Sequence, residues 1–323
     1  MSRYYPAMSS SKVWTRSALA ALAFMVAGCA ERPRYVVERT VADFQLAPDY
    51  RHLKPKQLEL GLEHARAMLA GDDGDASVLL SMGGFHLAMG HRDSAEICYA
   101  RSVDGFETQA RSLPPLTTAS YGTVRGRADA YVGLGASLAS RGEYSGAREA
   151  FDRVTGPWLE AYPEARQEKL RLSRYSSGLA WELERKPDRA RREYDAALGG
   201  SEWTRARYAR ACAWSAAGQL DSALADFARV ARSHAPDRRM APYHIGRIRE
   251  LQADTTAALA AYEAFLDAQT AGRLPLLRAA NTPSDSTSDR MIAGLERAAD
   301  LRTRGLYRDA QVRIQRLRTR RAR

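Results

Sequence analysis

One small-residue beat recurs six times along the chain and limits what it can fold into. A Gly or its stand-in is followed five residues later by Ala, and four further on by an aromatic or aliphatic residue. The beat runs Gly90, Ala95, Tyr99; Gly142, Ala147, Phe151; Arg185, Ala190, Tyr194; Gly218, Ala223, Phe227; Ala253, Ala258, Tyr262; Gly305, Ala310, Ile314. If each unit begins 19 residues before its Ala, the starts fall at Ala76, Ala128, Arg171, Thr204, Arg239 and Met291, in steps of 52, 43, 33, 35 and 52 residues. A fixed internal period of this size marks a stack of similar helical units, each resting on its neighbours.

Each unit reads as a helix hairpin. The first helix carries bulky and small residues on one face, as in Leu134, Gly135 and Leu138, and a Gly such as Gly142 ends it in a left-handed cap. In the second helix an Ala such as Ala147 lets two axes approach closely, and Phe151 one turn on fills the space beside it.

These residues resemble the tetratricopeptide repeat family, whose spacing is ~34 residues. The unit 128–154 matches its pattern at Leu134, Gly135, Leu138, Gly142, Tyr144, Ala147 and Phe151, and the unit from Thr204 reaches Pro236 where the family commonly has a proline. The units from Arg171 and Met291 depart from it, with Ser177 for the usual Leu, Arg185 for the loop Gly and Arg297 in an apolar slot. Residues 57–69 fall in register as a lone second helix that caps the N-terminal end. The resemblance implies an all-α fold over residues 55–323: a right-handed α-solenoid of about six hairpins, with insertions at 106–126 and 271–288.

The N-terminus carries a separate signal. Lys12 and Arg16 precede an apolar run, 18–27, that ends in Val26, Ala27, Gly28 and Cys29. Ten apolar residues are too few to span a bilayer, which needs ~20, and suit the core of a signal peptide. The ending resembles the lipobox of bacterial lipoproteins. That resemblance implies a signal peptide over 1–28, diacylation of Cys29, and a tether over 29–54 leading to the repeats. Ala30, where an Asp would favour the inner membrane, implies an outer-membrane address facing the periplasm. Two or three acyl chains make such an anchor stable, at ~0.8 kcal/mol per buried methylene.

Charge divides along the same boundaries. The formal net charge is +11; residues 1–28 hold Arg3, Lys12 and Arg16 without an acid, and residues 302–323 hold nine Arg against Asp309, so 3 and 8 account for all of it. The basic character therefore belongs to a C-terminal helix with an apolar stripe at Ala310, Ile314 and Leu317 and a face of Arg313, Arg316, Arg318, Arg320 and Arg321. Three surroundings suit this face: anionic lipid, an acidic partner, or water over the last repeat. A lipoprotein outside the cytoplasm excludes nucleic acid as the usual partner of such a patch.

Sites for chemistry are not found. The six histidines, His52, His64, His86, His91, His234 and His244, show no metal-binding spacing, and His86 reads as a packing residue. The run 71–75 turns the chain and caps the helix after it. Cys98 and Cys212 lie three repeat steps apart, too far for the ~7 Å a disulfide allows, and read as small buried residues. No cofactor, metal, catalytic residue or small-molecule substrate is expected beyond the lipid on Cys29.

What remains is binding. In the family, the second, fifth, ninth and twelfth residues of each first helix face a concave groove. Here those slots place Tyr175, Tyr208 and Tyr243 in a row, with Leu172, Leu179, Arg205, Met240, Arg247 and Glu250 around them. Lys and Asn, which hold a C-terminal carboxylate in one subclass, are missing from the slots. The reading is a non-catalytic scaffold or adaptor at the cell envelope that binds protein segments, for outer-membrane protein assembly, pilus-secretin assembly or recruitment of cell-wall hydrolases. The alternative is a fixed structural subunit of a large envelope complex whose grooves stay filled.

Overall fold

A computed structural model describes residues 33–71, 74–114, 116–200, 202–279 and 305–321. The described chain is helical, without a strand. Its helices are α1 (Pro55–Leu69), α2 (Ala76–Met89), α3 (Arg92–Ser112), α4 (Thr118–Ser140), α5 (Tyr144–Arg153), α6 (Pro163–Leu183), α7 (Pro187–Leu198), α8 (Thr204–Ala216), α9 (Leu220–Ala231), α10 (Ala241–Leu251) and α11 (Thr255–Ala279), followed by α12 over 305–321. Neighbours pack as pairs: α2 with α3, α4 with α5, α6 with α7, α8 with α9 and α10 with α11, while α1 lies on α2. This arrangement is consistent with an α-solenoid.

The beat of the sequence has a physical counterpart in every described pair. A small residue on the first helix lies against the aromatic ring sixteen positions later on the second. A methyl group placed on Gly83 would meet Tyr99 at 2.8 Å, on Gly135 would meet Phe151 at 2.3 Å, on Gly178 would meet Tyr194 at 2.6 Å, and on Gly246 would meet Tyr262 at 2.7 Å. Ala211 takes the same place opposite Phe227, both fully buried. The missing side chain is what lets each ring lie flush on the neighbouring backbone, at the packing density of a protein interior.

The hairpins also close alike. Gly90, Gly142, Arg185, Gly218 and Ala253 all have positive φ. After each, a backbone N–H reaches five residues back: His91 to His86, Glu143 to Leu138, Lys186 to Trp181, Gln219 to Trp214 and Asp254 to Arg249, at 2.9–3.0 Å. These bonds satisfy carbonyls that the helix end would otherwise leave unpaired. Arg185 and Ala253 hold this conformation without being glycine, so the stand-ins read from the sequence are true geometric equivalents.

Several expected boundaries move. The insertion at 106–126 is not an extended loop: α3 runs on to Ser112 and α4 starts at Thr118 under a Thr117–Ser120 capping box. The lengthened helices stay paired because Phe106, 3% exposed, presses on Gly126, where a methyl would sit 2.3 Å from the ring. In the second insertion α11 continues through Ala279, and residues 280–304 lie outside the described chain. Asp75 accepts hydrogen bonds from the Ser77 and Val78 amides and so caps α2. Cys98 and Cys212 are free and buried, and His86 is buried beside His91. The signal peptide and Cys29 fall outside the described residues.

The largest departure is the tether. The described residues from Arg34 onward belong to one compact unit, so most of the stretch expected to link anchor and repeats is packed against the helices. Tyr35 and Phe44 are buried at 8% and 0% exposure. This strap runs against the order of the helices. Tyr35 meets α8 and α10, Arg39 meets α6 and α8, Phe44 meets α5, and Tyr50 stacks on Phe85 of α2 at 4.0 Å.

Candidate functional site

The face carrying the predicted tyrosine row is the face that the strap crosses. Tyr175 is buried on α6; its hydroxyl donates to the Asp43 carbonyl at 3.1 Å and accepts from the Arg39 guanidinium at 3.0 Å. Tyr208, on α8, places its hydroxyl 2.7 Å from His244 Nε2 and its ring under Arg39, 5.8 Å from the guanidinium carbon. Tyr243, on α10, bonds to the next helix: its hydroxyl donates to Asp309 of α12 at 2.6 Å and accepts from Arg247 at 3.4 Å. The row is therefore two residues facing the strap and one clamping the next helix.

The surrounding residues divide in the same manner. Arg247 lies over the Tyr35 ring at 5.2 Å. Arg205 is exposed and pairs with Asp237 at 3.8 Å. Leu172 and Met240 are half-buried against the core, and Leu179 is fully buried within it, so Leu179 supports the site from beneath and does not line it. A cleft of about 560 Å³ opens where the strap meets α8, lined by Leu46, Asp49, Trp203, Arg205 and Asp237 among others.

His244 is the centre of the site. It is 3% exposed, stacked on Phe227 at 5.2 Å, and held between Tyr35 at Nδ1 and Tyr208 at Nε2, both at 2.7 Å. A neutral imidazole has one N–H and one lone pair. Thus one tyrosine hydroxyl donates to the ring and the other accepts from it. Burial, reinforced by the charges of Arg247 and Arg39, lowers the imidazole from 6.5 to about 3, so it stays neutral at physiological pH. Burial pushes the Glu182 carboxyl up, against the opposing pull of Arg39 and the Tyr194 hydroxyl.

Arg39 enters this polar pocket from the strap. Its side chain is 5% exposed and pairs with Asp43 at 3.4 Å. Arg51 fastens the strap from its other end, donating to the carbonyls of Ala42 at 2.7 Å and Phe44 at 2.8 Å while it pairs with Asp49. A Thr40–Asp43 capping box shapes the turn between them. Nothing in the repeat pattern marks Tyr35, Arg39, Phe44 or His244 as functional. A signal existed in the strap itself, where Tyr35, Val37, Val41, Phe44 and Leu46 supply more apolar side chains than a solvated linker needs.

The basic C-terminal face is less uniform than expected. Arg313 is not a solvated arginine: it bridges Asp309 at 2.6 Å and Glu250 at 2.8 Å with its side chain 18% exposed. Arg318 pairs with Glu263, while Arg316, Arg320 and Arg321 are exposed. Among the described residues no group of three or more His, Cys, Asp or Glu is arranged to hold a metal, and no helix is long and apolar enough to cross a membrane.

No family model and no curated protein matches the chain. Among solved structures it is similar to BtubC (BKLC) from P. vanneervenii, at 17% identity and a TM-score of 0.43, over 72% of this chain and 94% of that one. A likeness of that size carries no argument about what this chain binds.

Proposed function

We propose that this protein is a non-catalytic envelope scaffold: a right-handed tetratricopeptide-type solenoid of about six hairpins, carried on a lipid-modified Cys29 and presenting its inner face to protein segments. The observation that carries the binding part is the strap. A stretch of polypeptide with a single 3-10 turn at Val41–Asp43 lies along the tyrosine face, recognised through a tyrosine, an arginine and a phenylalanine. A face that holds one such segment has the donors, acceptors and aromatic area to hold another of like chemistry.

The repeat reading is supported by five hairpin closures of one geometry and by the sixteen-residue pairing of small residue and ring. The anchor rests on the sequence around Cys29, and the outer-membrane address on Ala30. The second reading, a fixed structural subunit, is favoured by the groove's being filled already. Capture from detergent-solubilised envelopes separates the two: clients that exchange with salt support the adaptor, and one stoichiometric partner supports the subunit. Mass spectrometry of the mature N-terminus tests the anchor, and an unmodified Cys29 removes it.

A further inference from the structure

The strap is bound in the manner of a peptide ligand. Three side chains of the strap anchor it to the helices. Tyr35 places its hydroxyl on His244 and its ring beneath Arg247, and its backbone N–H and C=O pair with the Ser215 carbonyl at 3.1 Å and hydroxyl at 2.6 Å. Arg39, four residues on, inserts between the Tyr175 hydroxyl and the Tyr208 ring. Phe44, five further, packs at 5.5 Å from Phe151. Between the anchors Val36 is 49% exposed, and Glu38 and Thr40 face water. One side of the segment is read and the other is left to solvent, as in peptide recognition.

The fit at the centre is also incomplete. Arg39 makes one hydrogen bond to the groove, from Nη2 to Tyr175; Nε reaches only Asp43 of the strap itself, at 3.4 Å, and the buried Nη1 has no hydrogen bond, although a buried guanidinium is stable only when its donors are met. An occupant held this way is open to displacement by a segment that fills the pocket better. A tethered segment nevertheless competes strongly, at an effective concentration on the order of millimolar.

We infer that residues 34–44 are a self-ligand, and that the groove's partner is a segment of another protein bearing the same pattern and able to make the same turn before its last aromatic. That pattern is a tyrosine, an arginine four residues later and an aromatic five beyond it, and such a segment opens the groove by displacing the strap. This deepens the scaffold reading by naming what the groove recognises and what closes it.

The test uses the intact protein and a fluorescent peptide spanning residues 33–46, followed by anisotropy. Arg39→Ala in the protein weakens the internal competitor, so the peptide binds that variant at least tenfold more tightly than the wild type. A peptide with its own arginine replaced by alanine loses that binding. Equal affinity for wild type and variant, or no binding to a variant shown by circular dichroism to be folded, overturns the inference. If Arg39→Ala fails to fold, hydrogen exchange on the wild type decides. A Tyr35 amide that exchanges at least tenfold faster than the core amides of α8 and α10 supports a strap that opens by itself; exchange together with those helices makes it a permanent brace and overturns the inference. Dimers formed by exchange of straps between copies overturn it as well. An unmodified Cys29 would remove the envelope anchor without touching any of these outcomes.

Discussion

Acidification reports directly on the pocket at the centre of the groove. His244 is held near 3 when the protein is folded and returns to 6.5 when it unfolds. Between these values the unfolded chain binds a proton that the folded one refuses, so the contribution is complete above about pH 6.5 and is lost as the pH falls. At ~1.4 kcal/mol per unit, lowering the pH from 7.5 to 5.0 costs about 2 kcal/mol from this residue alone. His244→Gln removes the titration and keeps one donor and one acceptor for the two tyrosines. Thermal unfolding of both proteins at pH 7.5, 6.0 and 5.0 isolates the effect. Other groups, such as Glu107 lowered chiefly by its hydrogen bond from Tyr131, titrate alike in both proteins. The wild type loses roughly 4–8 °C more than the variant across this range, allowing 2–4 °C per kcal/mol for a large domain. Parallel curves would refute a neutral His244 buried between Tyr35 and Tyr208.

Three further outcomes follow from the packing, each read by chemical denaturation. Gly135→Ala and Gly178→Ala drive a methyl into the rings of Phe151 and Tyr194, and the overpacking destabilises by ~1–3 kcal/mol despite alanine's better helix propensity. Arg185→Gly and Ala253→Gly relieve left-handed residues and stabilise by ~0.5–1 kcal/mol, while Gly142→Ala, at φ +86°, costs a similar amount. Phe44→Ala, at a fully buried ring, destabilises by ~3–5 kcal/mol, whereas Val36→Ala on the same strap stays within ~0.5 kcal/mol. A strap that is merely draped over the surface would make the last two alike.

Much of the fold was legible because its signals are local. A positive-φ closure and a small residue sixteen positions before a ring recur within each hairpin, so a window of two helices contains all the parts. Even the stand-ins Arg185 and Ala253 could be placed by register alone. The helical ends of the insertion at 106–126 are not legible in its Pro114 and the Ser and Thr around it, because the contact of Phe106 with Gly126 that keeps the lengthened helices paired spans 20 residues. The ion pairs of Arg313 are not legible in the basic face because one of its two acids, Glu250, lies 63 residues away in sequence.

The chain by itself determined that it would form repeated helix pairs and where each pair would turn. Only the tertiary structure decided what lies on the tyrosine face. Tyr35 meets Ser215 and His244 across separations of 180 and 209 residues, and no periodicity within a hairpin encodes a contact of that span. Repeat sequences specify neighbours, because each unit buries its apolar surface on the next. The strap crosses several units at once, so its partners come into being only after the helices have stacked to present Tyr175, Tyr208 and His244 along one line.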